Sequence, residues 1–394
     1  MNSSDNFFAS WTTNESYKSM LRLMGSLSGL FSSSDIPFIQ YRVTENLFCR
    51  CFDAVNLSRM DVAYDAKIGD MGIGIKTFQM PGAYSIEKVA EFNRIAASFK
   101  NLKGEELAHY IARVRNERMR LGDELCGVSK RIYHIVERKK NKLIVFNSPY
   151  RFINEDGITN VCQKDTSLSF YDGEEQYIFY PSKSVLQKRF EINLSDSMVL
   201  DVDILKDPYA VLMDRIGTDI LHPDLHVASS GGDLFSSASD IRESVVLPLY
   251  SLRAGGTVRY VPERSGLNQW NASGRMRDPN EVYIPIPQKI HKQHPSFFPE
   301  RNECFVLHLP DGTDLSAKIC QDGGKALMSN PNKSLGQWLL RKVLKLQEGE
   351  LLTMDKLDMA GFDSVTVAKD GDHEYSLFVC TSENRPDDNA EASM

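Results

Sequence analysis

The order of apolar and polar residues divides the chain into two stretches of different character. Residues 16–31 carry apolar side chains at roughly helical spacing and stop in the turn-forming run Ser32-Ser33-Ser34-Asp35. A second helix is predicted from about 40 to 54, with Leu47, Phe48, Cys51 and Phe52 on one face and Glu45 off it. The period then changes to two: 60–67 reads as a strand, Ile68-Gly69-Asp70 as a turn, and 71–78 as the returning strand. Residues 85–99 are predicted helical, with Ser85 as the cap and Glu87 favouring the first turn. Residues 105–125 follow as a long, charge-laced helix, and short strands are expected at 142–147, 168–171, 178–180 and 190–194. Gly, Pro and Ser crowd residues 217–243, which marks a boundary. Beyond it lie short strand-like runs at 245–250, 257–261, 281–286, 305–309, 315–320 and 365–368, with one helix over 335–346. That pattern predicts an open barrel. The expected organisation is an α/β domain over 1–225, a linker over 226–243, an all-β domain over 244–381 and a polar, acidic, disordered tail over 382–394.

Composition adds limits. With 42% hydrophobic and 25% charged residues the chain has the balance of a soluble globular protein, long enough to bury a core without disulfides or a structural metal. Its net charge of −7 excludes a histone-like polycation, so any nucleic-acid contact must come from a local patch. The seven cysteines have no Cys-x-x-Cys spacing, which predicts reduced, mostly buried thiols and a cytoplasmic protein. Residues 1–17 lack the basic start of a signal peptide, and runs such as 143–146 are too short to span a bilayer, so no membrane is expected.

The local patch exists. Between 253 and 301 there are eight basic and four acidic residues. Within that stretch a polar loop over 264–277 presents Arg264, Asn268, Gln269, Trp270, Asn271, Arg275 and Arg277. Arg reads guanine, and Asn or Gln reads adenine, by paired hydrogen bonds worth about 1–3 kcal/mol of discrimination each. A second loop over 325–333 carries Lys325, Ser329, Asn330, Asn332 and Lys333 and leads into a helix start, which can hold a phosphate. The same residues also suit solvated turns, with Trp270 as a part-buried anchor.

Here a resemblance enters. The segments Ser265-Gly266-Leu267-Asn268-Gln269-Trp270-Asn271-Ala272, Glu281-Val282-Tyr283-Ile284-Pro285-Ile286-Pro287, Phe297-Phe298-Pro299, Leu309-Pro310-Asp311-Gly312, Leu335-Gly336-Gln337-Trp338-Leu339-Leu340-Arg341 and Gly361-Phe362-Asp363-Ser364-Val365 resemble the B3-like DNA-binding domain of type II restriction endonucleases. The resemblance covers about 244–380. It implies a seven-stranded pseudobarrel that grips the major groove of double-stranded DNA between two arms, 264–277 and 325–333.

A restriction-type reader implies a nuclease ahead of it. None of the eight histidines has a lysine two residues on, so the His-x-Lys nucleases do not fit, and a His-Asn-His pattern with paired cysteines is likewise missing from the sequence. The 60–78 hairpin offers other chemistry. Phosphodiester hydrolysis needs carboxylates converging on a divalent cation, with a lysine near the attacking water. Alternation along strands would put Asp61 and Asp65 on one face and Gly74 and Lys76 on one face of the partner; an ordinary surface hairpin with Asp61 paired to Lys76 has the same sequence. The layout of a helix with Glu45, a strand with Asp61, a turn, and a strand ending Ile73-Gly74-Ile75-Lys76-Thr77 resembles the PD-(D/E)XK nuclease core over about 36–100. The resemblance implies a restriction-endonuclease-like α/β fold and Mg2+ held by Asp61 and a second acid. The family's acid two residues before the lysine is Gly74 here. Some members supply it from the following helix, which points to Glu91 first and Glu87 second; Lys67, in Asp65-Ala66-Lys67, is the lesser rival to Lys76.

Together these readings predict a Mg2+-dependent type II site-specific deoxyribonuclease, homodimeric and without a nucleotide cofactor. The alternative is a DNA-binding regulator with a degenerate nuclease domain. His222 and His226, four apart around Pro223, read as surface residues rather than zinc ligands, and Arg113, Arg115, Arg118 and Arg120 as a solvated helix face, with contact to a DNA backbone as the lesser alternative.

Overall fold

The computed structural model describes residues 3–58, 60–192, 196–214, 243–253, 258–268 and 278–382. The expected linker, His222, His226 and the tail from 383 lie outside the described residues. Among the described residues no helix is long and apolar enough to cross a membrane.

Three helices open the chain: α1 (Ser3–Ser10), α2 (Glu15–Ser26) and α3 (Tyr41–Phe52). They cover one face of a six-stranded sheet. Its strands are β1 (Val55–Asn56), β2 (Ala66–Ile68), β3 (Met71–Gln79), β5 (Lys130–Lys139), β6 (Lys142–Pro149) and β11 (Ser197–Asp201), hydrogen-bonded in that order. β3 and β5 run parallel, joined through the long helix α5 (Gly104–Cys126), so Gly74 faces Tyr133 and Lys76 faces Ile135 in register. Alternation along β3 separates two cores. Met71, Ile73 and Ile75 pack under the three helices, while Phe78 joins Tyr133 and Phe146 in a core that continues into the barrel. Within the helical core, the Tyr17 hydroxyl meets His134 Nε2 at 2.9 Å, and His134 Nδ1 meets Asn147 Oδ1 at 2.8 Å. Burial holds the His134 pKa down at about 4.

A second, antiparallel sheet packs on the first half of α5. Its order is β4 (Tyr84–Glu91), β10 (Val185–Glu191), β9 (Gln176–Tyr180), β8 (Leu168–Tyr171) and β7 (Thr159–Gln163). The helix expected over 85–99 is therefore mostly strand β4, followed by only one short helix, α4 (Ala96–Phe99). The β-branched and aromatic residues Tyr84, Ile86 and Val89 fit the edge of this sheet, and seven residues of β10 pair with β4. The strand expected over 60–67 is shorter as well. β2 holds only Ala66–Ile68, and Asp61 sits in the loop before it, not on a strand face shared with Asp65.

The C-terminal half is a seven-stranded sheet, consistent with the all-β expectation. Its order is β12 (Ser244–Pro248), β19 (Ser364–Gly371), β20 (Glu374–Cys380), β16 (Cys304–His308), β17 (Asp314–Cys320), β18 (Ala326–Ser329) and β15 (Ile284–Pro285). β12 and β15, the two ends of that order, come back against each other, so the sheet is nearly closed. A two-stranded ribbon, β13 (Ser251–Leu252) and β14 (Arg259–Tyr260), stands beside it. The expected helix begins at Ser334–Gly336 and widens into a π-helical stretch, Gln337–Val343. All seven cysteines are free thiols, but only Cys126 and Cys380 are buried; Cys162 and Cys304 are exposed, contrary to the expectation of mostly buried thiols.

Candidate active site and DNA-binding surface

β2 ends its pairing with β3 at Ala66 opposite Ile73, and from there the two strands part. Asp65 fills the opening: its N–H donates to the Ile73 carbonyl, and its Oδ2 accepts the Ile75 N–H at 2.7 Å. The carboxylate so takes the place of a strand partner on the freed edge of β3, beside Lys76. Burial raises the Asp65 pKa, and the Lys76 ammonium opposes that rise. Glu45 approaches from α3, almost wholly buried, with Arg42 Nη1 at 3.1 Å from its Oε2. Burial raises its pKa, the Asp65 charge raises it further, and Arg42 and Lys76 pull it down. Three of the residues selected from the sequence, Glu45, Asp65 and Lys76, thus share one electrostatic neighbourhood.

The other acids are arranged differently. Asp65, Lys76, Asp61 and Glu91 all line a cleft of about 620 Å3 bounded by the first sheet, β4, α5 and the end of the barrel. Asp61 Oδ2 accepts the Thr381 N–H at 2.5 Å, which ties this loop to the last residues of the barrel. Glu91 pairs with Lys88 at 2.9 Å and accepts from Asn93. Glu87 accepts from the Ser85 hydroxyl; burial raises its pKa, and Lys76 and Arg138 lower it. Because 87 and 91 lie on a strand with a register shift opposite Leu186/Gln187, they do not form the helical pair expected of them. Lys67 pairs across from Gly72 and points to the far end of α5, where its Nζ would lie 3.7 Å from a Cβ on Gly127. Among the described residues no group of three or more His, Cys, Asp or Glu side chains is gathered closely enough to hold a metal ion.

Gly74 has a packing reason. A Cβ there would sit 2.8 Å from Tyr133 Cδ1 and 3.1 Å from Tyr150 Cε1. These two rings stack with centroids 3.9 Å apart, and both are buried. The position that would carry the missing acid is thus closed by an aromatic wall.

Arg94, Arg115 and Arg118 line a further wall of the cleft. Arg115 and Arg118 are not a solvated face: Arg115 is 3% exposed and lies against Tyr150 and Tyr177, and Arg118 reaches the Glu91 carbonyl at 2.6 Å and backbone carbonyls of the barrel side. The signal was available. Positions 111, 115, 119 and 122 follow helical spacing on the buried stripe of α5, with charge at 115 where an apolar residue is expected, and Arg118 is half-buried at its edge. Arg94 bridges to the barrel, with Nη1 3.0 Å from Asp363 Oδ2.

On the barrel, Gln269, Trp270, Asn271, Arg275 and Arg277 lie outside the described residues. Arg264 is exposed at the start of the same loop. Asn268 is committed to the backbone: its Nδ2 donates to Pro262 and Leu352 carbonyls at 3.1 and 3.0 Å, and its Oδ1 accepts the Leu352 N–H at 2.7 Å. Ser329 is buried, donates to the Pro331 carbonyl and accepts the Leu335 N–H at 2.9 Å, so it anchors the turn rather than facing outward. Lys325, Asn330 and Lys333 are exposed and Asn332 is half-buried.

Residues 246–370 match the family model for the NgoFVII C-terminal B3-like DNA-binding domain, the domain of a restriction enzyme. This stretch is similar to that domain. The nearly closed seven-stranded sheet is consistent with a B3-like domain, and the match supports double-stranded DNA as a partner. No curated protein matches the chain.

Proposed function

We propose that the chain is a sequence-specific restriction endonuclease, in which the barrel binds double-stranded DNA and the cleft beside Lys76 hydrolyses a phosphodiester with Mg2+. The observation that carries this reading is the meeting of Asp65, Lys76 and Glu45 where β2 and β3 part, on a chain whose other half matches a restriction-enzyme DNA-binding domain.

The donor set suits Mg2+ in a limited way. Mg2+ commonly takes one or two protein carboxylates and keeps several waters, so a three-acid cluster is not required. Asp65 and Glu45 are the acids that would hold it, since Asp61 and Glu91 already serve Thr381 and Lys88. When bound, the ion supplies Lewis-acid polarisation of the phosphoryl oxygen. Lys76 then contributes a fixed positive charge against the developing phosphorane charge and orients the attacking water. Asp65, pinned by the Ile75 N–H, keeps one oxygen in a set direction. Base reading in this scheme falls to Arg264 and Asn330 with the 269–277 arm, and backbone contact to Lys325 and Lys333, while Asn268 and Ser329 shape the loops. A palindromic target would suit a two-fold dimer.

The test is direct. Incubation of the full chain with plasmid DNA and Mg2+ is expected to give discrete fragments, and Asp65→Asn and Lys76→Ala are expected to abolish them. Fragments that persist in both variants would reject the site. A second reading, a DNA-binding regulator, is favoured by the glycine at 74 and the lack of a three-acid group among the described residues. Specific binding with no cleavage of any DNA would select it.

A further inference from the structure

We propose that Arg94, Arg115 and Arg118 form a phosphate-ester binding subsite on the cleft wall, apart from the Asp65–Lys76 centre. The cleft is lined by five basic residues and three acidic ones, so it carries a positive excess within an acidic protein. Two of the acids already have partners, Asp61 in the Thr381 N–H and Glu91 in Lys88. Arg115 is almost fully buried. Its Nη1 donates to the Arg151 carbonyl at 2.9 Å, but Nε and Nη2 have no hydrogen-bond partner; the Tyr133 hydroxyl lies beside them without hydrogen-bond geometry. Arg94 Nη2 is likewise buried without a partner. A buried guanidinium left with unused donors is costly unless an acceptor arrives. Arg118 lies close enough to Arg94 for repulsion, and burial together with that repulsion brings its pKa down to about 10. An anion between them would relieve both.

Phosphate fits better than carboxylate because its several oxygens can meet the unused donors of Arg94 and Arg115 together with the charge of Arg118, whose three nitrogens already donate to backbone carbonyls. A cleft of about 620 Å3 has room for a nucleotide-sized group. Asp363 and Asp358 are the built-in competitors, with Oδ2 3.0 Å and Oδ1 3.7 Å from Arg94 Nη1; the Asp358 Oδ1 has no hydrogen bond and is shared with Arg259 Nη2 at 3.7 Å. This subsite deepens the nuclease reading, on which it rests only for the ligand's source, a DNA backbone rather than a free nucleotide.

The experiment uses the full chain in EDTA with thymidine 3′,5′-bisphosphate, a probe too small to be gripped by a barrel arm, followed by calorimetry. Saturable binding is expected, weakened about tenfold by Arg118→Gln, as for loss of a charged hydrogen-bond donor. Arg22→Gln, exposed on α2, should leave it unchanged. Asp358→Asn should tighten binding, a gain that misfolding cannot produce. No saturable binding, or equal affinity in Arg118→Gln and Asp358→Asn, would overturn the proposal. Displacement of the probe by a short duplex assigns the ligand to a DNA backbone; probe binding that the duplex leaves intact assigns it to a free nucleotide. Asp65→Asn separates the two readings, since it should retain probe binding while losing cleavage. If the probe binds with the expected arginine dependence and no DNA is cut, the subsite stands and the nuclease reading falls.

Discussion

Replacing Gly74 by alanine tests whether packing, rather than chance, keeps an acid out of this position. The new Cβ would meet Tyr133 Cδ1 and Cε1 at 2.8 and 2.9 Å and Tyr150 Cε1 at 3.1 Å. The rings cannot easily give way, because they stack at 3.9 Å and 13° and are both buried. Overpacking of this kind costs about 1–3 kcal/mol. The backbone gain of alanine over glycine in a strand returns about 0.5–1 kcal/mol, leaving a net loss of about 1–2 kcal/mol. At about 2–4 °C per kcal/mol for a domain of this size, the unfolding midpoint should fall by roughly 2–8 °C. Gly74→Asp should fall further, since it adds a carboxylate to the same wall. The contacts are with ring carbons, so Tyr133→Phe should not rescue the alanine variant, whereas Tyr133→Leu should. Thermal unfolding with cleavage assays on the same samples reads all four. An unchanged or raised midpoint for Gly74→Ala would refute the packing account, as would a stable Gly74→Asp protein that cuts faster.

Burial raises the pKa of both Glu45 and Asp65, so cleavage should fail on acidification at a higher pH than an ordinary carboxylate would set. Arg42 lowers both, and Arg42→Gln should move that acid limb further up; initial rates across pH would show an unmoved limb if the pairing is wrong. His134 is depressed from 6.5 to about 4, so its neutral form supports the fold above the unfolded value, and that support is lost as pH falls towards about 4. The loss should reach about 2–3 kcal/mol by pH about 4.5, and denaturant titrations of His134→Gln should show a flatter pH dependence; parallel curves would refute it. Asn268→Ala should cost about 1–3 kcal/mol of stability while leaving base preference intact. Arg264→Ala should instead weaken DNA binding with little change in unfolding; the reverse pairing would exchange their roles.

Much of the fold was legible in the sequence because local pattern and tertiary packing agree there. The helix at 41–52, the long helix α5 and most strands of the barrel follow their hydrophobic periods. The segment after 84 was not legible as a strand. Its residues Glu87, Lys88, Ala90 and Glu91 suit a helix, and only pairing with β10, a hundred residues later, decides otherwise. β5 and β20 also escaped notice: β5 has charged residues at both ends, Lys130 and Arg131 before and Glu137, Arg138 and Lys139 after its apolar middle, and β20 closes on β16 from far along the chain. Of the candidate site, Lys76 and Asp65 could be named from an Asp, a turn and a Lys, since a hairpin brings such residues together. The commitment of Asp61 to Thr381 could not, being a contact across 320 positions. Nor could the internal duties of Asn268 and Ser329, which look like readers in any list of polar loop residues.

The bond between Asp61 and Thr381, with the bridge from Arg94 to Asp363, means that the N-terminal half borrows one side of its chamber from the other half. The two halves are therefore not independent cassettes. A chimera that swaps in a foreign barrel without the strip from Asp358 to Thr381 would leave the chamber open on that side. Grafting only the exposed loops onto the resident barrel would keep it whole.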